Sequence, residues 1–324
     1  GDYKALHYHG FLYLKGELDL HGANINVDMM KLGFGISPKI QVQENASLYN
    51  SDSLIYSYDT GVEIFIPTGK KLELNARFPG VQKYPGAIRV AGEATITGGG
   101  RLDITYTLVS TESGTTPRTL FGIYGGEGVT LRGNKYEGTG PTVNIKMNNA
   151  GSGPEGDAMT GILAGTLTVK DGAKLNIEVT GRALDPKTEG YSSDTGGRVN
   201  MAISATQMKL LNDASVDIIS HANVMSDIRL WGGSEVLTVD TTGHLTILNE
   251  GNIQRYDPNG SDATYALYRD YPSYNIYLEK NATANLVRAE GGVSITSYSA
   301  IIDDWYEKYY TKGEEDANNW AISC

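Results

Sequence analysis

The sequence predicts an all-β solenoid in which about nine coils of three short strands stack on one another. Three observations predict it: short segments in which apolar and polar residues alternate, glycine-containing breaks between those segments, and recurrence of the same three-segment phrase along the chain. Alternation places one set of side chains on one face of a strand. Recurrence at similar spacing is the sequence signature of a repeat architecture.

The clearest repeat is the segment 161–181. Its three apolar groups are centred on Ile162, on Leu167 and on Ile177, and Gly or Asp-Gly stands at the breaks. One such unit cannot bury its apolar face alone, so its stability must come from stacking on neighbouring units.

Stacking of the repeats predicts two inward columns of apolar side chains. β-branched residues stacked on their own kind pack well at the spacing of a sheet. The first-strand column contains Ile88, Ile123, Ile162, Ile203, Ile228 and Leu267. The third-strand column contains Ile104, Ile145, Ile177, Ile218 and Ile247.

The middle positions of the third strands predict an outward polar column. Its members are Asn26, Glu73, Asp103, Asn144, Asn176, Asp217 and Thr246. The normal outward placement of polar residues on half-buried strands favours a hydrogen-bonded amide ladder on a solvated face. Polar acceptors at a regular step of about 4.8 Å would also suit a sugar chain or a calcium ion. Asp103, Asn144, Asn176 and Asp217 are therefore candidate ligand-binding residues.

A second candidate site is aromatic. Trp231, Tyr268 and Tyr271 belong to a group of aromatic residues in the later part of the chain. Exposed rings stack on the apolar faces of sugars, and rings with a polar tip suit wet interfaces. The alternative interpretation places these rings in the core or in a cap.

The repeats divide the chain into a solenoid domain over 1–299, with clear repeats over 85–299, and a non-repetitive segment over 300–324. That last segment predicts a cap, with a short helix as one form of it, because an open solenoid end exposes a sheet edge. The start of a following segment is the alternative. Insertions near 108–119, 149–160, 181–199 and 249–264 follow third strands and predict loops along one edge.

Composition limits the partners. The net charge of −11 and the sequence pI of about 5.0 argue against nucleic acid or an anionic membrane surface, and no membrane insertion is expected. Cys324 is the single cysteine, which excludes an intrachain disulfide and a cysteine zinc cluster. A nearly cysteine-free, glycine-rich repeat chain is typical of a bacterial exported or surface protein, with a signal peptide removed ahead of Gly1.

At these repeats the chain resembles the right-handed parallel β-helix, or pectin lyase-like, superfamily. The motifs are a small residue followed by Ile, then Leu-Thr-Val or Ala-Thr-Ile, then Leu-Asn-Ile or Leu-Asp-Ile, and the likeness covers about 85–300. In particular, the chain resembles bacterial cell-surface and carbohydrate-binding β-helix proteins. The resemblance implies a single-stranded right-handed parallel β-helix with a polysaccharide or glycan as partner.

The enzymes of that superfamily bring characteristic residues together, and this chain departs from them. Hydrolases use Asn-Thr-Asp, Asp-Asp, Gly-His-Gly and Arg-x-Lys motifs, whereas here the single Asp-Asp pair, Asp303-Asp304, lies in the tail, far along the chain from His9 and His21. Lyase chemistry needs carboxylate-held calcium and a basic residue. Scattered candidates for it are Glu155, Asp157, Asp185, Glu189, Asp194 and Arg198.

These observations favour a non-catalytic, secreted or cell-surface, adhesin-like β-helix module that binds polysaccharide or a cell-wall or host glycan. No catalytic residue is assigned and no cofactor is required, with calcium as a conceivable ligand and the metal unknown. The alternatives are a lyase or glycoside hydrolase acting on an acidic polysaccharide, and a structural spacer of a larger surface protein.

Overall fold

The computed structural model describes residues 5–14, 17–21, 24–32, 39–44, 46–49, 54–78, 86–108, 119–134, 139–149, 158–181, 201–221, 226–232, 235–249, 274–278, 284–286, 292–297 and 322–323. These residues form 24 β-strands, and no helix occurs among them. The all-β prediction is confirmed for this part of the chain. The strands are β1 (Ala5–Leu14), β2 (Glu17–His21), β3 (Asn24–Leu32), β4 (Lys39–Glu44), β5 (Ala46–Tyr49), β6 (Ile55–Ser57), β7 (Val62–Phe65), β8 (Lys71–Phe78), β9 (Gly86–Val90), β10 (Glu93–Thr97), β11 (Arg101–Leu108), β12 (Thr119–Arg132), β13 (Thr142–Asn149), β14 (Ala158–Lys170), β15 (Lys174–Gly181), β16 (Met201–Leu211), β17 (Ser215–Ser220), β18 (Ser226–Leu230), β19 (Leu237–Val239), β20 (His244–Asn249), β21 (Tyr274–Leu278), β22 (Ala284–Leu286), β23 (Gly292–Ser297) and β24 (Ile322–Ser323).

The named strands pair in parallel, and paired strands are two or three positions apart in chain order. Parallel neighbours cannot be joined by a tight hairpin, so other segments of the chain separate each pair. We call the series β5, β8, β11, β13, β15, β17, β20 and β23 sheet A. We call the long strands β12, β14 and β16, together with the strands joined to them directly or through one further pairing (β6, β7, β9, β10, β18, β19, β21 and β22), sheet B. The expected count of about nine coils stays a prediction.

The predicted first-strand column is confirmed over five of its six positions. Ile88, Ile123, Ile162, Ile203 and Ile228 pair in succession in sheet B, and all five side chains are fully buried. The sixth position was predicted wrongly: Ile276, not Leu267, pairs with Ile228, and Leu267 lies outside the described residues. The insertion ahead of β21 shifts the register, and alternation alone does not reveal an insertion's length.

The third-strand column is confirmed in sheet A. Ile104, Ile145, Ile177, Ile218 and Ile247 pair in succession, and each is at most 2% exposed. The two isoleucine columns belong to a single buried apolar cluster. Burial of each column by the other explains why these positions are β-branched or leucine in every repeat.

The structure departs from three separate strands per repeat in β12, β14 and β16, which run continuously through the predicted first and second strands. The pairing of β12 with β14 shifts register between Gly125 and Gly128. A Cβ atom at Gly125 would lie 2.0 Å from the carbonyl oxygen of Gly128, so the chain bends too sharply there for a side chain. The predicted glycine corner is therefore a bend within one strand.

The small residue before each first-strand isoleucine has a packing reason. A Cβ at Gly161 would lie 2.6 Å from the carbonyl oxygen of Ala202 and 2.8 Å from Cγ2 of Ile177 in sheet A. Asp227 occupies the same motif position before Ile228, is fully buried, and accepts a hydrogen bond from Ser220 Oγ at 2.5 Å.

Several predictions fall on residues whose structure is not described. The domain boundary at 299 is untested, and of the segment 300–324 only the short strand β24, paired with β21, is described. The insertion loops centred near 113, 153, 190 and 257 also lie outside the described residues. No helix in the described part of the chain is long and apolar enough to cross a membrane.

Candidate functional site

Sheet A carries the predicted polar column on its outer face. Alternation along each strand turns Leu or Val and Ile inward and the residue between them outward. Glu73, Asp103, Asn144, Asn176, Asp217 and Thr246 pair in succession. The assignment of Asn26 to this column was wrong, because Asn26 pairs with Tyr49, whereas the partner of Glu73 is Ser47.

The column contains a directed hydrogen-bonded ladder. Asn144 Nδ2 donates to Asp103 Oδ1 at 2.7 Å, and Asn176 Nδ2 donates to Asn144 Oδ1 at 2.7 Å. An ionised carboxylate only accepts hydrogen bonds, so the amide nitrogen of Asn144 must face Asp103. The amide oxygen of Asn144 then faces Asn176 and accepts a hydrogen bond from its amide nitrogen. The predicted ladder is confirmed across β11, β13 and β15. Its direction leaves the amide oxygen of Asn176 on the side nearer Asp217.

A second outward column runs beside the first. Asn75, Thr105, Lys146, Glu178 and Ile219 pair in succession on the same strands. The two columns line an open groove with a volume of about 500 Å³ on β8, β11, β13, β15 and β17. We call this the ladder groove. It contains all four predicted polar-column candidates.

Three carboxylates of the ladder groove have cationic partners. Lys71 Nζ pairs with Glu73, Arg101 Nε lies 2.9 Å from Asp103 Oδ2, and Lys146 Nζ lies 2.9 Å from Glu178 Oε1. Such partly exposed pairs contribute little to stability, about 0–1 kcal/mol each. Their effect on the groove is electrostatic, because each pair cancels a negative charge on its floor or wall.

The aromatic candidate site stays a prediction, because only one of its three residues is described. Trp231 is 46% exposed and follows β18 in sheet B, outside the lining of the ladder groove. Tyr268 and Tyr271 lie outside the described residues.

Sheet B holds an aromatic and cationic arrangement that sequence reasoning missed. Tyr56, Arg89 and Tyr124 are consecutive in register, and the Arg89 guanidinium carbon lies 5.9 Å from the Tyr56 ring centroid and 5.7 Å from that of Tyr124. These distances are typical of cation–π contacts. The available signal was that Arg89 and Tyr124 directly follow Ile88 and Ile123 of the first-strand column, while Tyr56 follows Ile55, the partner of Ile88 in register.

A second open cavity of about 640 Å³ lies on sheet B. Asp59, Glu63, Glu93 and Glu127 line it together with two basic residues. The described residues contain no group of three or more His, Cys, Asp or Glu side chains placed to hold a metal ion. Calcium binding stays a prediction, and the loop acids proposed for lyase chemistry lie outside the described residues.

Comparisons of the chain with models of protein families, with curated proteins and with solved structures found no match.

Proposed function

We propose that this chain is a right-handed parallel β-helix of the pectin lyase-like type that binds a polysaccharide in the ladder groove without catalysis. The observation that carries the proposal is the ladder itself, an outward series of amide and carboxylate side chains in register on consecutive strands. We further propose that the module acts outside a bacterial cell or on its surface, where such polymers occur.

The parallel pairing supports the coiled arrangement. A coil of three strands places each strand beside its equivalent in the next coil, which requires parallel pairing at a constant offset in chain order. The offset of two or three strands is consistent with this requirement, because a coil whose first and second strands are merged, as in β12, β14 and β16, contains one strand fewer. About nine coils and a cap over 300–324 complete the proposed architecture.

The hydrogen-bonding capacity of the ladder supports a sugar ligand. Each Asn side chain has two N–H donors and an oxygen with two lone pairs, and the ladder uses one donor of Asn144 and one of its lone pairs. The remaining donor and lone pair are available to hydroxyl groups. Because equivalent positions recur every 4.8 Å or so, an extended polymer would meet similar partners on successive strands.

The charge pattern of the groove supports binding over hydrolysis. General acid and base chemistry uses two carboxyl groups free to exchange protons with the substrate. In the ladder groove Asp103 is held by Arg101 and Asn144, and Glu178 is held by Lys146. Carboxylates held in this way are fixed hydrogen-bond acceptors that can orient a ligand.

A glycan array followed by titration calorimetry tests the proposal. Asn144→Ala combined with Asn176→Ala should weaken binding by roughly 5- to 150-fold, since two hydrogen-bonding side chains at about 0.5–1.5 kcal/mol each are lost. Asn148→Ala is the matched control, because Asn148 lies on the outer face of β13 outside the groove lining.

The control should bind as the parent does. Absence of binding to every glycan, or equal losses in the double variant and the control, would contradict the proposal. Appearance of reducing ends or unsaturated products would favour the hydrolase or lyase alternative. A loss confined to Tyr268→Ala and Tyr271→Ala would instead place the site at the aromatic group.

A further inference from the structure

Asp217 differs from the other carboxylates of the ladder groove. Within the described residues, Glu73, Asp103 and Glu178 each have a cationic partner, whereas Asp217 has none. The local sequence explains the difference. Lys71 and Arg101 precede Glu73 and Asp103 by two residues and so share their face of the strand, while Ser215 holds the corresponding position before Asp217.

The ladder does not supply a donor to Asp217 either. Its bonds run from Asn176 to Asn144 and from Asn144 to Asp103, away from β17. The amide oxygen of Asn176 is thus left towards the strand that carries Asp217, its partner in register. Two acceptors therefore stand on neighbouring strands, whose backbones are roughly 4.8 Å apart.

A group placed between two acceptors must donate to both. An ammonium group has three N–H donors and a positive charge, which complements one amide oxygen and one carboxylate. A hydroxyl group has a single donor and would satisfy only one of them. Ile219, 38% exposed on the same strand, adds apolar surface beside this position for the carbon face of a sugar ring.

Building on the proposed function, we infer that the β17 end of the ladder groove binds the free amino group of a hexosamine unit, so that the ligand is an amino-sugar polymer with unacetylated amines. Acidic polymers are disfavoured by the same charge distribution. The uncompensated carboxylate would repel a uronate, and the chain as a whole carries a net charge of −11.

The test compares two glucosamine oligomers of equal length, one fully N-acetylated and one fully de-N-acetylated, by titration calorimetry on the whole chain. The de-N-acetylated oligomer should bind roughly 10- to 100-fold more tightly, because its amine forms a charge-assisted hydrogen bond. Asp217→Asn should abolish that preference. Asp213→Asn is the matched control, since it removes the same charge at an exposed turn position with φ of 60°, which Asn tolerates.

Asp217→Thr provides a second variant that imitates Thr246, the next residue of the column. Both Asp217 variants should melt as the parent does, which separates loss of recognition from loss of folding. Equal affinity for the two oligomers would overturn the inference and leave glycan binding intact. A preference that survives Asp217→Asn, or falls equally with Asp213→Asn, would also overturn it by showing general charge attraction. Failure of the chain to bind any glycan would refute the proposed function itself.

Discussion

Truncation of Ile162 tests the buried column most directly. Ile162 is fully buried and lies in register between Ile123 and Ile203. Ile162→Ala removes three carbon groups at about 0.8 kcal/mol each, or about 2.4 kcal/mol of lost transfer free energy. Hydrogen bonds hold the neighbouring strands at sheet spacing, so the cavity cannot collapse fully, and we expect a total loss of about 3–5 kcal/mol in the free energy of unfolding.

Urea-induced unfolding followed by circular dichroism measures this loss, with the shift in midpoint converted through the slope m. Ile219→Ala is the matched control, because it removes the same carbons from a side chain that is 38% exposed. The control should cost about 1 kcal/mol, since no enclosed cavity forms. Ile162→Asp should prevent stable folding by burying an unpaired charge. Similar losses at 162 and 219, or a folded Ile162→Asp variant, would refute the proposed packing.

Three further variants probe the ladder, the close contact between the sheets and the buried polar pair. Asn144→Asp should destabilise the fold by placing a second carboxylate against Asp103. The loss of unfolding free energy should shrink below about pH 4, where a protonated carboxyl can donate a hydrogen bond to the other. A loss that does not change with pH in chemical denaturation would contradict this. Gly161→Ala should lower the unfolding free energy by about 1–3 kcal/mol because its Cβ meets backbone at 2.6 Å, and an unchanged urea midpoint would argue against that contact. Ser220→Ala should lower the unfolding free energy by about 1–3 kcal/mol, because Asp227 loses a buried hydrogen-bond donor. In a double-mutant cycle, the double variant with Asp227→Ala should lose less unfolding free energy than the sum of the two single variants.

Alternation and recurrence were enough to predict both isoleucine columns and the outward polar column. These features depend only on the two-residue period of a strand and on equal spacing within each repeat. The predictions failed where spacing changes. Leu267 was assigned across a long insertion, and Asn26 was assigned before the repeat becomes regular, and in each case the register differs.

Two features of the ladder groove, the direction of its hydrogen bonds and the pairing of its carboxylates, were not predicted from the sequence. The sequence identified Asp103, Asn144, Asn176 and Asp217 as neighbours, and it suggested amide hydrogen bonds among them. The direction of those bonds depends on which groups face each other across strands. The absence of a cationic partner for Asp217 within the described residues likewise became visible only in the structure.

What the sequence by itself determined is the strand period, the inward and outward faces and the all-β class, because each depends on residues close together in the chain. Tertiary structure alone decided the register across insertions, the merging of two predicted strands in β12, β14 and β16, and the placement of Arg89 between Tyr56 and Tyr124. The physical reason is that parallel pairing joins residues roughly 20–50 positions apart, so their contacts depend on the lengths and paths of the segments between them.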